Sequence, residues 1–147
     1  MNVSKMAVLL LLLLVVCPAQ QEAAVAGKIV LRMLNGKTGK PIWRHDYANI
    51  WLGNAAVFNR STDSRGEVII DVSNVQPPEI RFLPNTYFDC RSKRDNTSFR
   101  EVKYSLDEII SKGVVGENVC GKTRVSPTPG VLVMYVRPRT FIEGWNL

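Results

Sequence analysis

The chain has 147 residues, of which 22% are charged and 46% hydrophobic, and its formal net charge at pH 7 is +6. This length allows one domain with a proper core and is too short for two. The basic residues form neither a clustered face nor a recognisable motif, which argues against a nucleic-acid-binding protein. We interpret the densest basic stretch, residues 91–95, with Arg100 and Lys103 beyond it, as a solvated loop rather than a polyanion site.

The first residues have the layout of a secretory signal peptide. A short segment with one lysine precedes an unbroken apolar run at residues 6–17, and a proline then separates that run from small residues. The run is shorter than the roughly 20 apolar residues of a membrane-crossing helix, so an anchor is the weaker interpretation. We predict a signal peptide over 1–19, cleaved after Ala19 or after Ala26. The protein is then secreted or periplasmic and not membrane-spanning.

The cysteines support export. Removal of the signal peptide takes Cys17 away and leaves Cys90 and Cys120. An even pair in an exported chain predicts a disulfide. Closing a loop of about thirty residues stabilises a fold by on the order of 3–4 kcal/mol in the chain-entropy model. The alternative is a pair of free thiols, or a catalytic cysteine, which would need a histidine partner in a chain whose single histidine is His45.

The first predicted strands lie in the N-terminal half of the domain. Apolar residues alternate with polar ones from Gly27, and this pattern predicts a strand with one buried face carrying Ile29, Leu31 and Met33. Turn residues at 35–41 end it. Further strands are predicted at 48–52, 55–59 and 67–72. The connections between them are a Gly53-Asn54 hairpin turn and a turn at 62–66, in which Gly66 suits a left-handed conformation.

The second half of the chain predicts fewer strands and one helix. Residues 79–83 resume the alternation, 87–90 form an edge segment, and 91–100 form an exposed loop. Ser105 and Glu108 have the spacing of a capping box, and Gly113 is placed to end the short helix that follows. The last strand is predicted at 130–136. About seven strands and one short helix indicate an all-β, Ig-like sandwich over residues 27–140, with a C-terminal tail at 141–147.

Residues 28–72 carry a family resemblance. A strand leads into Thr38-Gly39-Lys40-Pro41-Ile42, and the strand Ala48-Asn49-Ile50-Trp51-Leu52 and the turn Thr62-Asp63-Ser64-Arg65-Gly66 follow. This order resembles the carboxypeptidase regulatory-like, or prealbumin-like (transthyretin-like), β-sandwich domains of exported bacterial proteins. The segments 113–121 and 129–138 are similar to the tail of small secreted bacterial proteins with no assigned activity. The resemblance implies a prealbumin-like fold and an exported location.

The sequence has few residues that could form a catalytic or metal-binding site. One prealbumin-like relative, the hydroxyisourate hydrolase, uses clustered histidines and a C-terminal Tyr-Arg-Gly-Ser, whereas this chain has one histidine and ends in Glu-Gly-Trp-Asn-Leu. His45 precedes Asp46, but adjacent strand residues point to opposite faces, so we interpret His45 as a surface loop residue. No metal site and no cofactor are predicted. Four carboxylates are interpreted as solvated, although distant acids converging on a hydrolase site stay an alternative: Glu101, Asp107, Glu108 and Glu117.

Aromatic residues near the second strand form the candidate binding surface. Trp43, Tyr47 and Trp51 could make a platform on which a carbohydrate stacks, and core packing is the competing interpretation. Phe141 and Trp145 either fold back over a sheet edge or dock on a partner. We therefore predict a non-enzymatic binding or structural module whose partner is a protein or a polysaccharide. The alternatives are a small secreted hydrolase and an accessory or inhibitor subunit.

Overall fold

The computed structural model describes six parts of the chain, which are residues 27–44, 46–47, 49–57, 60–83, 87–90 and 102–138. These parts contain eleven strands and one helix, so the prediction of an all-β chain with one short helix is confirmed. The strands outnumber the seven expected because several are only two to four residues long. The predicted signal peptide, His45, the basic loop and the C-terminal tail lie outside the described residues.

The elements follow one another along the chain as β1 Lys28–Asn35, β2 Asp46–Tyr47, β3 Asn49–Leu52, β4 Ala55–Val57, β5 Arg60–Ser61, β6 Glu67–Asp71, β7 Glu79–Leu83, β8 Tyr87–Asp89, β9 Val102–Ser105, α1 Leu106–Lys112, β10 Val114–Val115 and β11 Val131–Pro138. The short strands β2, β5, β9 and β10 are absent from the sequence-based prediction. They are too short to show a period-two pattern that separates a strand from a loop.

A five-stranded sheet joins the first strand to the last. Its path is β10-β11-β1-β6, and β8 also pairs with β11. β1 runs parallel to β11, with Val30 opposite Val131, and antiparallel to β6, with Val30 opposite Ile69. The sequence predicts each of these strands but not the parallel pairing, because parallel neighbours need a long crossover that carries no local turn signature.

The other two sheets are smaller. A four-stranded antiparallel sheet has the order β4-β3-β7-β9, and β2 pairs with β5 in a two-stranded sheet. The predicted hairpin is present, since Leu52 lies opposite Ala55 and Gly53 has a φ of +56°. Asn54 is not among the positive-φ residues, so only the first turn position needs glycine. A positive φ at the first turn position alone is typical of type II′ hairpin turns, which favour glycine there.

Apolar side chains from both larger sheets pack into one core. Ile29, Leu31 and Met33 are buried there, as the alternation predicts, and α1 contributes Leu106 and Ile109. A second cluster lies on the opposite face of β11, where Val131, Val133 and Tyr135 are buried together with Leu34 and Cys90. β11, a central strand of the five-stranded sheet, is therefore covered on both faces. Among the described residues, no helix is long and apolar enough to cross a membrane.

Two local predictions hold in detail. The Ser105 hydroxyl accepts a hydrogen bond from the Glu108 N–H at 3.4 Å, and Gly113, with φ +76°, ends the helix by donating to the Ile109 carbonyl. Cys90 and Cys120 form the predicted disulfide, with their Cα atoms 5.3 Å apart. Both cysteines belong to the second apolar cluster, so this bond ties the segment before β11 to the covered face of the sheet.

Candidate binding surface

The three aromatic residues of the predicted platform lie on different elements. Trp43 stands in the connection between β1 and β2 and is 58% exposed. Trp51 lies on β3 in the four-stranded sheet and is half-buried. Tyr47 belongs to β2, and its side chain is outside the described residues. The platform that would combine the three residues stays a prediction, and the surroundings of Trp43 and of Trp51 are described in turn.

The segment carrying Trp43 is fixed on both sides of the indole. The Ile42 N–H donates to the Met33 carbonyl at 3.0 Å, and the Thr62 hydroxyl donates to the Ile42 carbonyl at 2.6 Å. The Arg44 N–H donates to the Thr62 carbonyl at 3.1 Å. Ile42 and Thr62 are buried, so these hydrogen bonds are shielded from water. The backbone under Trp43 is thereby held rigidly while its side chain faces solvent.

The turn at 62–66 makes this anchoring possible. Gly66 has a φ of +73°, and a Cβ built on it would lie 3.0 Å from the Ile42 nitrogen and 3.2 Å from the Pro41 Cβ. A side chain at this position would therefore push the turn away from the Trp43 segment. Glycine satisfies the left-handed backbone and the close approach together, which confirms the predicted role of Gly66.

Arg44 is the most unusual residue of the surface. Its φ is +54°, a conformation that residues other than glycine, asparagine and aspartate seldom adopt. Its guanidinium carbon lies 4.4 Å from the centroid of the Trp43 ring, within cation–π distance. The backbone hydrogen bond to Thr62 helps to hold this conformation. Strained backbone of this kind concentrates at binding and catalytic sites, because there the surrounding structure maintains it.

Ion pairs flank the other side of the 62–66 turn. The Asp63 carboxylate accepts from the Arg65 N–H at 2.8 Å and from the Glu67 N–H at 2.9 Å. These bonds, first the one from Glu67, hold the pKa of Asp63 below its ordinary value. The Arg65 side chain pairs with Asp63 and, at 3.4 Å, with Glu67, to which Arg32 also binds. The two carboxylates and the two arginines of this group thus pair with one another.

Trp51 belongs to a row of residues on the face of the four-stranded sheet that points away from the core. It lies opposite Arg81, which lies opposite Lys103. The Arg81 guanidinium is 5.9 Å from the Trp51 ring and donates to the Gly53 carbonyl at 2.7 Å. Glu79 is 3.5 Å from Arg81 and 3.6 Å from Lys103. The charges of this outer row pair with one another, and we interpret the row as structural.

The remaining polar candidates do not assemble into a recognisable site. Asp107 and Glu108 are exposed in the first turn of α1, where they favour the helix dipole, and Glu117 is exposed in the loop after β10. Glu101, like His45, is outside the described residues. In the described part of the chain, no three histidine, cysteine, aspartate or glutamate residues lie together in a way that could hold a metal ion.

No family model, curated protein or solved structure matches this chain. The prealbumin-like resemblance therefore stays a prediction. Sequence reasoning finds Trp43 but misses the residues that present it. An arginine in the sequence does not indicate a left-handed backbone, so the positive φ of Arg44 could not be predicted. Thr62 looks like an ordinary turn residue in the sequence, although its hydroxyl binds the Ile42 carbonyl and so fixes the Trp43 segment.

Proposed function

We propose that this protein is a secreted or periplasmic, non-enzymatic binding module that contacts its ligand through Trp43 and Arg44. The observation that carries the proposal is the 58% exposure of an indole whose backbone is anchored on both sides. Tryptophan normally buries most of its large apolar surface, and a solvent-facing one on rigid backbone is typical of a contact residue.

Rigidity favours binding at this position. Ordering a flexible loop on contact with a ligand reduces affinity, whereas a segment that is already ordered avoids that cost. The hydrogen bonds of Ile42, Thr62 and Arg44 order the Trp43 segment before any ligand arrives. The stacked guanidinium likewise restricts the rotation of the indole. Trp43 therefore has the properties of a preformed anchor.

The chemistry of the pair favours an acidic polysaccharide. An indole offers a flat apolar surface that complements the C–H face of a sugar ring. A guanidinium offers several N–H donors in one plane, which suit hydroxyl and carboxylate oxygens. A sugar carrying a carboxylate uses both groups at once. Because Arg65 is already paired with Asp63 and Glu67, Arg44 is the cation that we assign to the ligand.

The proposed location has two supports. The Cys90–Cys120 disulfide is compatible with an oxidising compartment outside the cytoplasm. The apolar run at 6–17 has the length and flanks of a signal peptide. Extracytoplasmic polysaccharides would be accessible to such a protein.

Calorimetric titration with polygalacturonate, and with neutral dextran for comparison, tests the proposal. We expect the wild-type protein to bind the acidic polymer and the Trp43→Ala variant to bind at least about tenfold more weakly, since about 1.4 kcal/mol corresponds to a factor of ten. Trp51→Phe is the matched control and should retain wild-type affinity. Arg44→Gly keeps the positive φ without strain, so it should fold normally and lose the salt-dependent part of the affinity.

Two results would overturn this proposal. One is unchanged binding by Trp43→Ala, which would remove Trp43 from the contact. The other is the absence of binding to either polymer together with Trp43-dependent capture of a protein from the extracellular fraction, which would replace the polysaccharide with a protein ligand.

A further inference from the structure

Two loops that are far apart in the sequence, residues 36–40 and 118–124, pack against each other beyond the end of β1. The Asn118 amide donates at 2.8 Å to the first carbonyl of the other loop. A Cβ built on Gly121 would lie 2.8 Å from the Lys37 Cα, so glycine lets the two backbones approach this closely. The contact sets Lys37 beside the second loop.

The same packing adds three more cations to this surface. A Cβ built on Gly39 would lie 3.0 Å from the Thr123 Cγ2, so these two residues also touch across the loops. Lys40 follows Gly39 in the first loop, whereas Lys122 and Arg124 flank Thr123 in the second. The basic side chains of the two loops therefore come together only in the folded chain.

The cationic patch is the surface formed by four exposed residues, which are Lys37, Lys40, Lys122 and Arg124. In the part of the chain that the structure describes, none of them lies within ion-pair distance of a carboxylate. By contrast, Arg32, Arg65 and Arg81 each pair with one. The carboxylate nearest to the patch in the sequence is Glu117, so the patch keeps a net positive charge.

Both loops are ordered by hydrogen bonds of their own. The Asn35 side-chain oxygen accepts from the Lys37 N–H at 2.9 Å, and the Asn35 N–H donates to the Lys40 carbonyl at 2.8 Å. In the second loop, the Arg124 guanidinium donates to the Thr123 carbonyl at 2.8 Å and has further donors for a ligand. The backbone that carries the cations is thus ordered before a ligand binds, which favours affinity.

The cationic patch is continuous with the surface of Trp43. Lys40 precedes Trp43 by three residues, and Pro41 and Ile42 between them both pair with β1. Three residues of extended chain span about 10 Å, so Lys40 lies within that distance of the indole and of the Arg44 beside it. One ligand can therefore contact both surfaces if it is longer than a single sugar ring.

The chemistry of the patch favours a linear acidic polysaccharide. The anionic groups of such a polymer recur along its chain, so a polymer with one ring on Trp43 places further carboxylates near the patch. Neither loop contains an aromatic residue. The loops therefore offer no surface on which bases could stack, and stacking is a main contact of proteins that bind single-stranded nucleic acid.

We propose that the cationic patch is a second contact for the acidic polysaccharide, which binds successive anionic groups through charge. The proposal rests on the proposed function, because it assigns a longer stretch of the same polymer to this protein. Trp43 and Arg44 contact one sugar ring, and the patch binds the part of the polymer that extends beyond it. The patch is thereby expected to carry most of the salt dependence of binding.

Calorimetric titration with polygalacturonate, at about 50 and about 200 mM salt, tests the patch. We expect the double variant Lys37→Gln, Lys122→Gln to bind about tenfold more weakly at the lower salt. Its affinity should also fall roughly fivefold to tenfold less between the two salts, because each cation on a linear polyanion releases counterions. The control is Lys28→Gln, Lys112→Gln, which removes the same charge from exposed lysines on β1 and α1 and should stay within about twofold of wild type.

The patch and the proposed function fail in different ways. Weakened binding by the patch variant, together with unchanged binding by Trp43→Ala, would support the patch and remove Trp43 from the contact. Equal affinity of the patch variant and the control would overturn the patch, whatever the result for Trp43→Ala.

Two further ligands decide the case in which the wild type does not bind polygalacturonate. With dextran sulfate, weaker binding by the patch variant than by the control supports the patch, and equal binding overturns it. With vesicles containing phosphatidylglycerol, binding that depends on the patch lysines, in the absence of binding to either polymer, would replace the polysaccharide with a membrane surface and overturn the proposal.

Discussion

The two larger sheets differ in how many of their faces are buried. In the five-stranded sheet, β11 has six consecutive buried residues, Val131 to Val136, with one apolar cluster on each side. In the four-stranded sheet, Ile50 and Ile80 face the core, whereas Trp51 and Arg81 on the other face stay half-buried. A continuous apolar run thus marks a strand covered on both faces, and alternation marks a strand covered on one.

The two sheets also differ in the contacts that stabilise their outer faces. The second cluster of the five-stranded sheet depends on a long loop being held against β11, and the disulfide and the buried Asn118 hold it there. The Asn118 amide donates to the Gly36 carbonyl at 2.8 Å and to the Thr123 carbonyl at 3.0 Å. The outer row of the four-stranded sheet has no such cover, and its charged side chains pair with one another near the surface.

The largest expected effect is that of opening the disulfide. Replacing Cys90 and Cys120 together by serine should lower the free energy of unfolding by on the order of 3–4 kcal/mol, because the unfolded chain regains the freedom of the loop. Urea unfolding of the oxidised wild type and the double variant measures this change. If the free energy of unfolding hardly changes, packing alone holds the loop on β11.

Truncation of the second cluster should have the next largest effect. Val133→Ala removes buried apolar atoms from the covered outer face of β11 and should cost about 2 kcal/mol. Lys103→Ala on the outer face of the four-stranded sheet is the matched change and should stay within about 0.5 kcal/mol of wild type. Equal losses in thermal unfolding would contradict the assignment of one covered and one open outer face.

A smaller effect is expected at Arg81. Arg81→Met keeps most of the aliphatic stem but removes the hydrogen bond to the Gly53 carbonyl and the cationic contact with Trp51. We expect a loss of about 1 kcal/mol, the ordinary worth of one hydrogen bond with a weak cation–π contact. Arg124→Met, in an exposed loop, serves as the control in urea unfolding. A loss as large as that of Val133→Ala would mean that the outer row is a second core.

The smallest effect is a pH dependence from Asp63, in the turn before β6, and Asp71, at the end of β6. The backbone hydrogen bonds from Glu67 to Asp63 and from Ser73 to Asp71 lower the pKa of each carboxyl below the ordinary 3.8. A lowered pKa stabilises the fold at pH values above the unfolded pKa, and this contribution is lost as the pH falls through the folded pKa. Unfolding curves below about pH 4 should therefore show a decline that Asp63→Asn reduces. An unchanged decline in that variant would assign it to other carboxyl groups.

Local signals in the sequence predict most of the individual elements. Period-two alternation locates β1, the glycine turns at Gly53 and Gly66 appear where positive φ is needed, and Ser105 and Gly113 bound the helix. Each of these depends on the conformational preferences of a few adjacent residues. Short strands without alternation, such as β9 and β10, escape this reasoning because their residues form a strand only when a neighbour is already in place.

The candidate site is harder to predict for the same reason. Trp43 is visible in the sequence as an aromatic residue, but its exposure follows from the contacts of Ile42 and Thr62, which are twenty residues apart. The expected platform of Trp43 with Trp51 stays a prediction, because Trp43 stands in the connection between β1 and β2 and Trp51 on β3. Whether an aromatic residue is core or surface is decided by these long-range contacts.

By itself the sequence determined the strand-rich class of this protein, its helix limits, the cysteine pair and the turns, because each depends on local geometry or on simple counting. The tertiary structure alone decided the parallel pairing of β1 with β11, the second apolar cluster, the exposed Trp43 and the place of β6 beside β1. These features arise from contacts between residues far apart in the chain. Local preferences carry no information about which distant strand becomes a neighbour.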